Sequence, residues 1–137
     1  MSRRLMVGIN RVVNVLVRAL RLRRFRGGDL LYLTTVGRTS GKPRTTPLIY
    51  LDDDGRWIVV ASNGGNDWEP GWWLNLRAGT DATIDVRGTK TRVRGAELDG
   101  EERDAMWQRL NADLFDFDSY QRKVARRIAV VALTPRS

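Results

Sequence analysis

The residues best suited to ligand binding are concentrated between Thr34 and Pro47, where hydroxyls, cations and glycines are mixed. Turn amides form concavities that bind anions, and arginine binds phosphates and carboxylates through two parallel hydrogen bonds. The stretch therefore suits a phosphate or a carboxylate, although its composition also describes a solvated connection between two strands. The stretch carries several hydroxyls and three cations, Arg38, Lys42 and Arg44.

A second candidate segment begins with Ala61-Ser62-Asn63-Gly64-Gly65 and ends in a stretch rich in tryptophan. Paired glycines let the backbone approach a planar ligand closely, and the N-terminus of a short helix favours negative charge. Three tryptophans lie in this segment: Trp68, Trp72 and Trp73. Their rings suit either the wall of a ring-binding pocket or a core and an interface, and the second interpretation is favoured for at least two of them.

Cysteine and histidine are both absent from the 137 residues. Their absence excludes disulfides, thiolate zinc sites, nucleophiles activated by histidine and imidazole ligands for a metal or haem. The carboxylates show no paired spacing that would indicate acid–base catalysis or a metal site, so no metal is predicted. If the protein is an enzyme, we therefore expect a bound cofactor to supply the reactive group.

The elements that must position these residues are mostly strands. Runs of strand-forming residues between turn signals, of which 82–87 and 91–98 alternate apolar and polar residues, predict six strands, at residues 30–36, 44–51, 56–62, 82–87, 91–98 and 127–133. The turn signal at residues 52–55 predicts a hairpin between the second and third strands. Gly88-Thr89 predicts another hairpin between the fourth and fifth strands.

Helices are predicted over residues 67–78 and 99–114, with Asp99 and Glu102 resembling a capping box for the second helix. The strands follow one another in sequence rather than alternating with helices. The pattern therefore predicts an α+β fold with a mainly antiparallel sheet, arranged as a small barrel or half-open barrel. No GxGxxG or Walker loop is present, which argues against a doubly wound nucleotide-binding fold.

Together, these stretches resemble the deazaflavin-dependent nitroreductase family of actinobacteria. Order and spacing match over residues 30–86, and the closing segment with Tyr120 and Val130-Val131-Ala132 also fits. A linear match of this length is more specific than any single motif. The matching motifs are Leu33-Thr34-Thr35-x-Gly37-Arg38-x-Ser40-Gly41-x-Pro43-Arg44-x-x-Pro47-Leu48, Ala61-Ser62-Asn63-Gly64-Gly65 and Pro70-x-Trp72-x-Leu74-Asn75-Leu76.

The resemblance implies a split β-barrel of the FMN-binding-like type with flanking helices. It also implies the deazaflavin coenzyme F420, which carries a phosphate and an oligoglutamate tail, in preference to FMN. The implied reaction is hydride transfer from the reduced deazaflavin to a small-molecule electron acceptor, either a quinone, a nitroaromatic or another activated double bond.

The resemblance further implies roles for individual residues. Those implied around the phosphate and acidic tail are Arg38, Ser40, Lys42 and Arg44. Those implied to line the deazaflavin and phosphate are Ser62, Asn63, Gly64 and Gly65, and those implied to support the pocket are Trp72 and Asn75. Tyr120 matches a tyrosine near the substrate in nitro-reducing members, so the expected proton donor is Tyr120, Ser62 or solvent.

The sequence departs from the nitro-reducing branch at four positions. Thr39 and Asn63 stand where that branch has lysines, whereas Ile49 and Phe117 stand where it has tyrosines. The missing cations weaken the expected hold on the phosphate. The missing phenols count against nitroimidazole reduction more than against cofactor binding.

Positive charge is concentrated at the N-terminus. Eight of the 24 basic residues lie within residues 1–26, which contain no acid, leaving 16 basic and 16 acidic residues in the rest of the chain. The segment has a helical period with apolar and arginine-rich faces, so we predict a basic amphipathic helix at 1–26, followed by a barrel domain at 27–137. The neutral barrel argues against nucleic acid as a partner.

The apolar face of such a helix is suited to an anionic membrane surface, to its own domain or to a second subunit in a homodimer. A membrane-associating N-terminus is reported for the resembling family, which favours the membrane. Arg11 and Arg18 interrupt the apolar run too early for a membrane span, and no secretory cleavage site is present. We therefore expect a cytoplasmic protein, peripheral to the inner face of the cell membrane. The alternative to an enzyme is a non-catalytic module that binds deazaflavin or a flavin at that surface.

Overall fold

The computed structural model describes residues 24–25 and 28–136. Most of the predicted N-terminal helix, together with the predicted boundary at residues 26 and 27, lies outside the described residues. Arg24–Phe25 form a short strand, β1, that pairs with Gly28 and Asp29. Because that pairing requires extended backbone, the prediction of helix at residues 24 and 25 is wrong.

Seven further strands and three helices follow within the described residues. The strands are Gly28–Val36 (β2), Pro43–Ile49 (β3), Leu51–Asp52 (β4), Trp57–Val60 (β5), Ala82–Val86 (β6), Thr89–Glu97 (β7) and Val130–Pro135 (β8). The helices are Gly71–Arg77 (α1), Gly100–Asp113 (α2) and Phe117–Gln121 (α3), and a 3-10 turn covers Asn63–Gly65. The strands pair in the order β1-β2-β6-β7-β8-β5-β4, with β3 also paired to β2. Every pairing is antiparallel, which confirms the predicted α+β class.

Alternation along β5 and β8 divides the apolar side chains between two cores. Val59 and Val131 lie in a core that also contains the tryptophans of α1. Ile58 and Val130 lie in the second core, which contains apolar residues of α2 and α3. Successive strand residues face opposite sides of a sheet, so one sheet fixes α1 on one side and the other two helices on the other. No helix of the described residues is long and apolar enough to cross a membrane.

The predicted hairpin formed by β6 and β7 is confirmed. Val86 pairs with Thr89, and the two turn residues, Arg87 and Gly88, have φ values of 52° and 88°. Positive φ at both central residues is the geometry of a type I′ turn, whose twist matches that of the paired strands. The turn therefore lies one residue before the predicted Gly88-Thr89.

The predicted hairpin between residues 44–51 and 56–62 is largely wrong. β3 pairs with β2 along its whole length, and β5 pairs with β8. Only Leu51–Asp52 pairs with β5. The Tyr50 N–H still donates to the Asp29 carbonyl of β2 at 3.2 Å, whereas Leu51 already pairs with Ile58 of β5, so the predicted strand is divided between two partners.

The start of the last strand and the cap of α2 also differ from their predictions. The last strand begins at Val130 rather than at residue 127. Asp99 is the N-cap of α2, but its side chain makes no capping hydrogen bond, so the capping box is wrong. The Glu102 carboxylate instead accepts a hydrogen bond from the Arg56 guanidinium at 3.2 Å.

The Asp53 carboxylate connects the β4–β5 turn to helix α2. It accepts from Arg109 at 2.8 Å and from Arg56 at 2.8 Å, and these hydrogen bonds, that of Arg109 first, lower the pKa of Asp53 from its ordinary value of 3.8. A lowered folded-state pKa stabilises the fold above the unfolded pKa, and this stabilisation is lost as the pH falls through the folded pKa.

We expect Asp53→Asn to lower the free energy of unfolding by about 1 kcal/mol at neutral pH, since the site is partly solvated. Urea unfolding at neutral pH and at acidic pH, below the folded-state pKa of Asp53, measures the effect. The difference between wild type and variant should shrink at the acidic pH. An equal difference at both pH values would show that the carboxylate charge is not responsible.

Candidate functional site

Asn75 joins helix α1 to the loop between β2 and β3. Its Oδ1 accepts from the Arg38 backbone N–H at 3.1 Å and from the Arg38 guanidinium at 2.9 Å, while its Nδ2 donates to the Thr35 hydroxyl at 3.0 Å. Asn75 is 5% exposed and Thr35 is 1% exposed. A buried amide with these partners holds the loop at one position relative to the helix.

The β2–β3 loop is also closed by its own hydrogen bonds. The Gly37 N–H donates to the Lys42 carbonyl at 2.8 Å, and the Gly41 N–H donates to the Gly37 carbonyl at 2.9 Å. Ser40 Oγ accepts from the Lys42 N–H at 3.2 Å and lies so close to Gly37 that a Cβ there would clash with it. Ser40, predicted to contact a phosphate, therefore also shapes the loop.

Three cations lie exposed on this loop and at the start of β3: Arg38, Lys42 and Arg44. None of them forms an ion pair with a carboxylate among residues 28–136. Arg38 is held by Asn75, whereas the other two side chains make no hydrogen bond to the described part of the chain. A loop whose cations have no acidic partners can bind an anion such as a phosphate or a polycarboxylate. We call this segment, residues 37–44, the cation loop.

The segment after β5 turns sharply through left-handed backbone. Asn63, Gly64 and Gly65 have φ values of 50°, 63° and 81°. Glycine adopts this region without steric cost, and asparagine adopts it more readily than most residues. Asn63 also donates from its side chain to the Trp68 carbonyl at 3.0 Å, so the residue helps to hold the turn. We call residues 62–65 the glycine turn.

Tyr120, from α3, packs against the glycine turn. A Cβ built on Gly65 would lie 2.9 Å from Tyr120 Cδ1, so only glycine fits beneath the ring. The Tyr120 ring has two further neighbours. Its centroid lies 5.2 Å from the ring centroid of Phe115 and 5.8 Å from Lys123 Nζ. The two predicted proton donors, Tyr120 and Ser62, thus belong to one local structure.

Ser62 is half-buried, and its hydroxyl has no hydrogen-bond partner among the described residues. Its carbonyl, by contrast, accepts from the Gly65 N–H at 2.9 Å and from the Arg126 guanidinium at 3.0 Å. The hydroxyl therefore remains available to a ligand, while the backbone of the same residue is fixed.

Arg126 contacts the glycine turn but is absent from the residues predicted for the site. Its guanidinium donates to the carbonyls of Ala61 at 3.1 Å, Ser62 at 3.0 Å and Asn66 at 3.0 Å. Burial lowers the pKa of Arg126, and the nearby carboxylates of Glu69 and Asp67 raise it in part. The only signal in the sequence is the basic run at residues 122–127, which carries no motif.

Trp72 and Trp73 lie in the core rather than on an open pocket wall. Trp72 is 7% exposed and Trp73 is 3% exposed, and their rings meet edge to face at a centroid distance of 6.5 Å. This agrees with the interpretation that at least two of the three tryptophans pack internally. Trp72, predicted to support the pocket, can act by holding α1 against the sheet.

The predicted site residues fall into two groups in the structure. Arg38, Ser40, Lys42, Arg44 and Asn75 form the group around the cation loop. The glycine turn and Tyr120 form the second group. Helix α1 carries Asn75 for the first group and packs, through its tryptophans, in the same core as Ala61, which precedes the second group. No cluster of three acidic residues that could hold a metal ion occurs between residues 28 and 136.

Fold and site together define a small antiparallel split β-barrel with a cation loop after its first long strand and a glycine turn after β5. A family model described as F420H(2)-dependent quinone reductase matches residues 6–135. The chain belongs to this family. The predicted resemblance, the predicted split barrel, the F420-dependent reductase class and its cofactor are thereby confirmed.

Similar proteins and solved structures include members named as F420-dependent reductases. An F420H(2)-dependent quinone reductase of Mycobacterium tuberculosis (strain ATCC 25618 / H37Rv) is 36% identical over 109 residues, covering 77% of this chain and 73% of that protein. The solved structure of an F420-H2 dependent reductase, FDR-A, has a TM-score of 0.68 and 30% identity, covering 79% of this chain and 94% of its own. A structure described as a domain-swapped dimer has a TM-score of 0.70 and 26% identity, covering 94% of this chain and 96% of its own.

Proposed function

We propose that the protein reduces a quinone, or a related acceptor with an activated double bond, at the expense of reduced F420. The observation that carries this proposal is the cation loop, which buried Asn75 fixes to α1 and which no described carboxylate neutralises. The phosphate and oligoglutamate of F420 are anionic, so the donor set present fits the cofactor that the family requires.

The cation loop would hold the phosphate and the acidic tail. Arg44 offers a planar fork for bidentate contact, and Lys42 offers a point charge. The Arg38 guanidinium donates to Asn75 Oδ1, and this hydrogen bond holds its positive charge in one place. Ser40 adds a hydroxyl beside the backbone N–H that it accepts from.

The glycine turn would lie against the deazaflavin ring. Left-handed residues at positions 63–65 present the backbone rather than side chains, which allows a planar ligand to approach closely. When bound, the reduced deazaflavin supplies the hydride. Ser62 and Tyr120 would donate a hydrogen bond or a proton to the negative charge that develops on the acceptor.

Two partners are proposed besides the cofactor and the acceptor: a membrane surface for residues 1–26 and a second copy of the chain. The arginine-rich segment would bind an anionic membrane surface from the cytoplasmic side, a proposal that rests on its amphipathic sequence pattern. A homodimer is supported by the solved structure described as a domain-swapped dimer, which covers 94% of this chain.

Titration of oxidised F420 with the full chain tests the cofactor site directly, because the fluorescence of the deazaflavin reports on its surroundings. We expect saturable quenching or enhancement at micromolar protein. An unchanged fluorescence over that range would contradict the proposed site.

Arg44→Ala should weaken binding of F420 about tenfold, because a charge-assisted bidentate contact is lost. Binding of a deazaflavin analogue without phosphate and glutamates should not change. Arg94→Ala is the matched control, since Arg94 is exposed on β7, a strand that does not carry the cation loop. Equal losses for F420 and the analogue would show that Arg44 does not contact the anionic part.

A further inference from the structure

Arg126 binds the backbone at and beside the glycine turn, through carbonyls that no residue predicted for the site contacts by its side chain. Its guanidinium makes four hydrogen bonds to three carbonyls, with Nε and one terminal nitrogen both donating to Asn66 and the others going to Ala61 and Ser62. All three acceptors lie within or beside the turn. The arrangement uses four of the five N–H donors in the rigid guanidinium fork, and among side chains only arginine has that many.

The backbone that carries Arg126 is itself held in place. Gln121, the last residue of α3, donates from Nε2 to the Arg126 carbonyl at 2.8 Å and accepts at Oε1 from the Ile128 N–H at 2.9 Å. One amide side chain thus fixes the segment on both sides of residue 127. The guanidinium is presented to the turn from a prearranged backbone, so less conformational entropy is lost in each hydrogen bond.

The direction of the carbonyls determines the direction of the neighbouring N–H groups. In a trans peptide the C=O and the N–H of the next residue point to opposite sides, and no peptide of the described chain is cis. Carbonyls of Ala61 and Ser62 that point to Arg126 therefore turn the N–H groups of Ser62 and Asn63 away from it. Neither N–H has an acceptor among residues 28–136.

We propose that Arg126 is a positioning residue for the cofactor site. It binds the carbonyls of the glycine turn on one side, so that the N–H groups of Ser62 and Asn63 remain directed to the anionic or carbonyl oxygens of the cofactor. The positive charge lies behind the turn and is not itself a ligand. The role in binding rests on the proposed function, whereas the role in holding the turn does not.

Hydrogen exchange of the full chain without cofactor tests the first half of the proposal. In Arg126→Ala, the amides of Gly65 and Asn66, which donate within the turn at 2.9 Å and 3.2 Å, should exchange faster. Amides of the β7–β8 ladder should be unchanged. Arg127→Ala is the matched control, because Arg127 is the exposed neighbour whose side chain makes no hydrogen bond to the described residues.

F420 titration of the same variants tests the second half. Arg126→Ala should bind F420 about tenfold more weakly than Arg127→Ala. Guanidinium chloride at a non-denaturing concentration should restore part of the affinity, whereas NaCl of equal ionic strength should not. Arg126→Lys should be intermediate in both experiments, because it keeps the charge and loses the fork, and it replaces the alanine variant if that variant does not fold.

The outcomes separate the two claims. If Arg126→Ala exchanges faster but the wild type does not bind F420, the claim that Arg126 holds the turn stands and the proposed function is contradicted. Normal F420 binding by the wild type, with exchange and affinity in Arg126→Ala equal to those of Arg127→Ala, would overturn the positioning role. If Arg126→Lys has the amide exchange and the F420 affinity of the wild type, the guanidinium group is not required.

Discussion

Replacing Asn75 with leucine should lower the free energy of unfolding by about 3 kcal/mol, because the buried Thr35 hydroxyl and two donors of Arg38 lose their partner together. The Thr35 hydroxyl, in a residue that is 1% exposed, loses the amide that donates to it. The Arg38 backbone N–H and guanidinium lose their acceptor. Leucine keeps the branch point of asparagine at Cγ and leaves no cavity, so the loss reflects the missing hydrogen bonds together with the added volume of two methyl groups.

The same variant should also bind F420 at least about tenfold more weakly, since the cation loop is no longer fixed to α1. Urea unfolding and F420 titration measure the two effects. Asn111→Leu is the control: Asn111 lies on α2, where its side chain donates to the Trp107 carbonyl and accepts from the Asp118 N–H. It should lose stability without losing affinity. Unchanged F420 affinity in Asn75→Leu would show that the cation loop does not depend on this anchor.

Gly65→Ala should reduce turnover with a quinone about 10- to 100-fold, because it displaces the glycine turn or the Tyr120 ring. The backbone at Gly65 has a φ of 81°, which is strained for alanine, and the new Cβ would lie 2.9 Å from the Tyr120 ring. The ring or the turn must move, and either movement changes the surroundings of the acceptor.

Gly79→Ala is the control that separates the effect of backbone strain from the effect of displacing the Tyr120 ring or the glycine turn. Gly79 has a φ of 85°, nearly that of Gly65, but a Cβ there meets no atom within 4 Å. It should lose stability to a similar degree and retain kcat. Steady-state kinetics of both variants with reduced F420 and menadione give the comparison. Equal kcat values in the two variants would exclude a contribution of the Tyr120 contact.

Local patterns allowed much of the fold to be predicted. The β6–β7 hairpin was predictable because its turn carries the glycine that a type I′ geometry needs. The pairing of β3 was not, because a run of alternating residues can pair with the strand before it or after it. Seven residue pairs, from Leu30 with Ile49 to Val36 with Pro43, join β3 to β2, and this pairing has no local signature in the sequence.

The candidate site shows the same division. Residues of the cation loop and the glycine turn were predictable because their types and order resemble a family. Arg126 was not, because an arginine that binds carbonyls looks the same in sequence as a solvated one. Asn75 was predictable as a site residue, but its role as an anchor requires knowledge of the buried Thr35 hydroxyl beside it.

Reoxidation of reduced F420 by menadione is the most direct test of the central claim. The full chain is mixed with both compounds under anaerobic conditions, and the return of the oxidised deazaflavin absorbance is followed against a protein-free control. We expect saturable catalysis that depends on protein concentration and that falls in Arg44→Ala. A rate equal to the protein-free control for menadione and for a panel of other quinones would contradict the account.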